Sequence, residues 1–306
     1  MFLDKFTEFS LIKVEDYHKL KSFYDKAGYD ACEYDFATLY MWSQVYSFRY
    51  CIKGDILIIL GEYGDEVFVE APICDIAVID KGFDYVDEIF GHINRPINVK
   101  VITGEVVEYV KTRYEMDKYT VEYSRDYSDY VYESEKLISL SGKKLSAKRN
   151  HLNAFYNEYS DRYIYRRLDQ SEYHSCIEIS KRWSDAKGID SSVIDELNAI
   201  KIILDAVDYL DYLVVSGIFI DGELEAFTIG NKMKEDMAVI HVEKANPNIR
   251  GLYAAINKCF VENEFSEVTY INREEDLGLS GLRDAKSRYR PIFLVDKYQL
   301  IEINVR

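Results

Sequence analysis

LVVSGIFIDGELEAFTIGNKMKEDMAVIHVEKANPNIRGLYAAINKCFVENE, residues 213–264, is the stretch on which the fold turns. Residues 213–219 and 224–229 are strand-like runs on either side of Asp221-Gly222, a pair that supplies the positive φ values of a tight hairpin turn. After the turn at Lys234-Glu235-Asp236, residues 237–242 make a third strand. The loop KANPNIRG then opens a helix over 252–264. Upstream, helices are expected over 145–159, 170–185 and 191–209. Downstream come a strand over 268–271, a helix over 279–287, and strands over 291–295 and 300–305. The order is helices, three antiparallel strands, helix, strand, helix, two strands. The first half repeats it more loosely. A helix over 14–26 ends at Gly28 and a second apolar segment covers 36–45. Strands follow over 47–52, 56–61 and 67–71, then a helix over 85–93, a strand over 98–102, a helix over 105–113 and a strand over 119–123.

Composition narrows the class. The chain has 306 residues, 48% of them hydrophobic and 14% aromatic, enough for real cores and too much for disorder. No apolar run approaches the roughly 18 residues of a membrane span, which excludes an integral membrane protein. The acids in the opening segment, and five cysteines without a C-x-x-C pair, lead to the expectation of a reducing cytoplasm with no disulfide or zinc framework. The net charge of −16 disfavours a general nucleic-acid coat. Residues 1–140 sum to about −12, leaving about −4 for the rest. Lys143, Lys144, Lys148 and Arg149 form an island without acids, read as the junction of two domains, 1–140 and 141–306. The same island also fits a solvated helix face.

The element order resembles the GNAT acyltransferase fold, and two such units in one chain resemble the Fem peptidyltransferases and the soluble domain of phosphatidylglycerol lysyltransferase. The blocks SGKKLSAKRNHLNAF, HVEKANPNIRGLYAAINKCF and INREEDLGLSGLRDAKSRYRPIFLVDKY are similar to bacterial proteins grouped with that lysyltransferase domain. The resemblance implies an α+β fold of two tandem GNAT-like domains, each a mixed, mostly antiparallel sheet flanked by helices. The site is expected in the second.

Several segments could carry chemistry. Arg250, Gly251 and Tyr253 lie where GNAT enzymes cradle the diphosphate of coenzyme A. Tyr253 occupies the place of a small residue, so acyl-CoA, a plain helix entry, lipid phosphate and a tRNA end all stay open. Glu243, at the end of a strand, suits a general base or a surface pair with Lys244. His241 is expected to point the same way by strand alternation. Asn272, Glu274, Glu275 and Asp276 could hold an amino group or complement a helix dipole. Arg283, Lys286, Arg288 and Arg290 are cations at helical spacing, suited to phosphate or carboxylate, while Tyr289 matches the region of a GNAT leaving-group acid. No metal site is indicated. The reading is an acyl or aminoacyl transferase with Glu243 as base and Tyr289 or Lys286 serving the leaving group. The donor is acyl-CoA or aminoacyl-tRNA, the latter through a patch of Lys144, Lys148, Arg149, Arg283 and Arg290. The acceptor is an amine or hydroxyl, a lipid headgroup included. The rival reading is a non-catalytic GNAT-fold ligand-binding or regulatory protein.

Overall fold

A computed structural model of the chain describes residues 7–187 and 191–303. They form two compact units, one from residues 7–128 with 295–303, the other between Asp129 and Leu294. In chain order the strands are β1 (Ser10–Leu11), β2 (Arg49–Lys53), β3 (Ile56–Tyr63), β4 (Glu66–Glu70), β5 (Asn98–Ile102), β6 (Tyr119–Tyr123), β7 (Asp129–Glu133), β8 (Tyr163–Arg167), β9 (Leu213–Ile220), β10 (Glu223–Lys232), β11 (Met237–Ala245), β12 (Tyr270–Asn272), β13 (Phe293–Val295) and β14 (Tyr298–Glu302). The helices are α1 (Tyr17–Ala27), α2 (Phe36–Trp42), α3 (Ile79–Ile93), α4 (Glu105–Arg113), α5 (Ser134–Ser139), α6 (Ser146–Tyr159), α7 (Tyr173–Lys187), α8 (Ser191–Ala206), α9 (Leu252–Glu264) and α10 (Ser280–Ser287). The expected α+β architecture is present, with two mixed seven-stranded sheets flanked by helices.

The first sheet runs β1-β2-β3-β4-β5-β14-β6. Inside it lies β3, whose run ILIIL is buried on both faces, as a covered strand requires. Against it packs α3, which buries Ile79, Phe83, Val86 and Phe90 at helical spacing. Its outward acids Asp84 and Asp87 hold Arg113 of α4 at 2.8 and 2.6 Å.

The second sheet runs β13-β7-β12-β11-β10-β9-β8. The expected two-residue turn forms between β9 and β10, with Asp221 at φ 53° and Gly222 at φ 91°. Helix α9 lays Ala254, Ala255, Phe260 and Val261 into the core beneath it.

Two strands depart from the 1–140 and 141–306 division. Strand β7 pairs antiparallel with β12 and buries Tyr130 and Tyr132 in the second core. Strand β14 lies between β5 and β6 and buries Leu300 in the first core. The reason is edge satisfaction. The short β12 is paired on one side by β11, and an open backbone edge remains costly until another strand covers it. The strand expected over 300–305 thus begins earlier and belongs to the first sheet; residues 304 and 305 lie outside the described residues. Strands β7 and β8, like the two-residue β1, have no counterpart in the sequence reading, although for β8 the alternation of Tyr163 and Tyr165, both packed on the core, is a signal.

Because Leu300 is fully buried, Leu300→Ala should cost about 2–5 kcal/mol in urea unfolding. Amide exchange should quicken first in the flanking strands β5 and β6, which lose a packed neighbour between them.

Candidate functional site

Strands β11 and β12 run parallel only over Met237–Val239 and Tyr270–Asn272, and beyond those residues they separate. Past the separation, β11 carries a bulge. Ile229 faces Val242 and Gly230 faces Ile240, so His241 is the extra residue. The bulge overturns the expectation that His241 and Glu243 point the same way. Glu243 turns toward α9, where its Oε2 accepts from Asn257 Nδ2 at 2.9 Å. The His241 ring instead lies 3.0 Å from Glu274 Oε1 and 2.6 Å from Asn231 Oδ1. Lys244 faces away too and pairs with Glu196, so the Glu243–Lys244 surface pair does not form.

The partner of Glu243 is Arg273, whose Nη2 donates to Oε1 at 2.9 Å, and each side chain is only 11% exposed. The guanidinium lies 4.8 Å from the Tyr289 ring centre and 5.6 Å from that of Tyr132. Burial opposes its charge, yet Glu243 and the two tyrosines hold its pKa above the ordinary value. Lys148 of α6 sits over the other ring position, with Nζ 3.8 Å from the Tyr289 centroid. Burial, then the neighbouring Arg273, brings its ammonium pKa down to about 8, while Glu243 pulls the other way. Burial raises the Tyr289 phenol well above its usual range, with Arg273 opposing, so it keeps its proton at neutral pH.

Three polar atoms of this cluster are buried without a hydrogen-bond partner: Arg273 Nη1, Asn257 Oδ1 and Thr228 Oγ1. Thr228 stands directly across from Glu243 in the β10–β11 ladder. Buried polar atoms are almost always bonded, so three orphans around one carboxylate make this the candidate site. Asn257 and Thr228 escape a reading by motif. The signal for Asn257 is a polar residue on the core face of α9, among Ala254, Phe260 and Val261.

The remaining residues singled out in the sequence serve the loop between β12 and α10. Asp276 accepts from Tyr130 at 2.5 Å, from Arg283 at 2.7 and 2.8 Å, and from the Gly278 N–H at 2.9 Å. Burial would raise its pKa, but these donors together hold it below the ordinary carboxylate value. Asn272 accepts from the Glu274 N–H and donates to Asp129. Lys286 is buried. Its ammonium donates to the Arg273 carbonyl at 2.6 Å and to the Glu275 carbonyl, and burial lowers its pKa. These groups shape the loop that presents Arg273. The three acids precede α10, whose first turn contains none, so they do not complement its dipole. The helical face expected from Arg283 to Arg290 is not formed either. Arg283 is engaged by Asp276, Lys286 points inward, and Arg290 lies past the helix end with φ 60°. In the basic island, Arg149 donates to the Leu140 and Gly142 carbonyls, whereas Lys144 is exposed.

At the Arg250-Gly251 loop the residues do not fit a coenzyme A diphosphate. A Cβ on Gly251 would lie 2.1 Å from the His151 carbonyl oxygen and 3.0 Å from Phe155 Cβ, so its bare side receives α6 and not a ligand. The N–H groups of Asn248, Ile249 and Leu252 are spent inside the loop, and Tyr253 packs on the core. Arg250 is exposed.

Two sheets in tandem, the second with strands that separate over a buried carboxylate, define the tandem GNAT class of acyltransferase folds. The chain belongs to the family described as phosphatidylglycerol lysyltransferase, C-terminal, whose model matches residues 26–301. A conserved protein of unknown function from Bacteroides thetaiotaomicron VPI-5482 superposes with a TM-score of 0.90 at 26% identity, over 96% of this chain and 99% of that one. The L-PGS structure from Bacillus licheniformis gives 0.67 at 16%, over 94% and 92%. The FemX structure gives 0.67 at 8%, over 97% and 98%.

Gly251→Ala should destabilise the protein by about 1–3 kcal/mol in denaturant titration, since the added carbon meets backbone at a positive φ. Competitive labelling with trace acetic anhydride, resolved by residue, should show Lys148 titrating near pH 8. The midpoint should fall further in Glu243→Gln, because the lost carboxylate was the group holding it up.

Proposed function

We propose that the chain is an acyl or aminoacyl transferase whose chemistry takes place at Glu243 in the second unit. The observation that carries this reading is the set of unpartnered buried atoms of Arg273, Asn257 and Thr228 around that carboxylate, where β11 and β12 separate. Glu243 takes the proton from an attacking amine or hydroxyl. As the acceptor bonds to the donor carbonyl, the oxygen becomes an oxyanion, and the unused N–H of Arg273 stabilises it. The leaving oxygen takes a proton from Tyr289, which retains its own at neutral pH, or from Lys148. Lys286, tied to two carbonyls, positions Arg273 and does not reach the leaving group.

The donor is an aminoacyl ester of tRNA, since the Gly251 loop leaves no cradle for a diphosphate. Exposed Lys143, Lys144, Arg288 and Arg290 supply phosphate contacts. The family description points to a lipid-headgroup hydroxyl as acceptor. The rival, a ligand-binding protein without catalysis, rests on that same closed loop.

Incubation with radiolabelled lysyl-tRNA and phosphatidylglycerol vesicles tests the reading. Label should move to lipid, and Glu243→Gln or Arg273→Met should each slow transfer by about 10²–10³-fold with the fold intact by circular dichroism. Absence of transfer across a panel of charged tRNAs, acyl-CoAs, lipids and amines would establish the rival.

A further inference from the structure

The first unit repeats the separation of strands, with different chemistry inside it. Strands β4 and β5 run parallel through Val69–Val99 and Glu70–Lys100 and then diverge. Glu70 ends β4 and is only 2% exposed. Its Oε2 has no hydrogen-bond partner, and neither has the hydroxyl of buried Tyr24, which comes from α1. Tyr24 is near enough to Glu70 and Asp35 to feel their charge, and Glu70 is likewise near Glu33 and Lys297. Tyr34 also lies in the field of Glu70, Glu33 and Tyr24. Its hydroxyl donates to the Val101 carbonyl at 2.5 Å, and its ring meets that of Tyr29 edge-on at 4.7 Å. Lys297 is engaged by Glu33 at 2.6 Å. Asp35 caps α2 through the Ala37 N–H.

We propose that the first unit holds a second ligand site, for a small ammonium cation, bounded by Glu70, Tyr24 and Tyr34 where β4 and β5 diverge. The proposal does not rest on the reading of the second unit. A purely structural polar cluster would satisfy its own oxygens, and here two oxygens from different elements stay unsatisfied. Both are complemented by a group that brings several N–H donors, as an ammonium does. Charge selects the sign. Glu33 and Asp35 lie in reach of Glu70 and Tyr24, and Lys297 is bound to Glu33, so an anion is disfavoured and a cation is drawn in. The tyrosine rings add the π faces that ammonium ligands favour. Burial, with Glu33, raises the Glu70 pKa well above the ordinary carboxylate value. Burial thus favours the protonated form of Glu70, and an arriving cation displaces that proton.

Calorimetry on the full chain with n-butylammonium chloride at matched ionic strength, and with n-butanol as the uncharged probe, tests this. Saturable binding of the amine but not the alcohol is expected. Heats should differ between Tris and phosphate buffers at pH 7, reporting proton release. Glu70→Gln should weaken binding at least 10-fold, Tyr24→Phe about 3-fold, and Arg273→Met not at all, which separates this site from the one in the second unit. Should Glu70→Gln not fold, Tyr24→Phe and the buffer comparison decide. Absence of saturable binding, equal binding of alcohol, retention in the folded glutamine variant, loss in Arg273→Met, or equal heats in the two buffers would overturn the proposal.

Discussion

A guanidinium with 11% of its side chain exposed has to be compensated, and the second unit is organised around compensating Arg273. Glu243 neutralises it, Tyr289 and Tyr132 present ring faces to it, and Lys286 fixes the carbonyl of the same residue. Breaking such a pair leaves a buried charge exposed to nothing, which is far more costly than never having built it. The loop from Asn272 to Gly278 is accordingly tied down at several points. Asp276 gathers Tyr130, Arg283 and a backbone N–H so that Arg273 arrives at Glu243 from a defined direction.

The bulge at His241 is the second constraint. One extra residue in β11 reverses which face the following residues occupy. Without it, Glu243 would join Lys244's present side of the sheet and lose Asn257. The carboxylate's access to α9 is therefore a property of register, and beside the bulge bare Gly230 lets the Val239 carbonyl and the Phe260 ring approach β10 closely.

The two units share a plan and differ in content. Each places a glutamate at the end of the strand that separates from its parallel neighbour, Glu70 on β4 and Glu243 on β11. In the second unit the glutamate is paired with the Arg273 guanidinium and held in place. In the first it meets Glu33 and lies near the unsatisfied Tyr24 hydroxyl, so burial and like charge raise its pKa. One fold thus sets a carboxyl against a cation in one place and against like charge in the other.

The Asp221-Gly222 turn, the helix over 252–264 and the repeated order of elements were legible because they are local. Turn chemistry and apolar period act over a few residues, and a chain read in a line displays them. Glu243 was legible as a chemical group at a strand end. Arg273 and Asn257 as its partners were not, since they come from 30 and 14 residues away and no spacing encodes a contact made across a sheet. The exchange of β7 and β14 between sheets was hidden for the same reason: β14 reads as an ordinary strand and β7 was not read at all, and only the open edges of β12 and of β5 with β6 select their partners. The sequence by itself determined which segments become strands and helices and which side chains carry charge. The tertiary structure decided which edges they cover, which face Glu243 takes and which cations remain exposed, because pairing and burial are settled between segments, where no single segment holds the information.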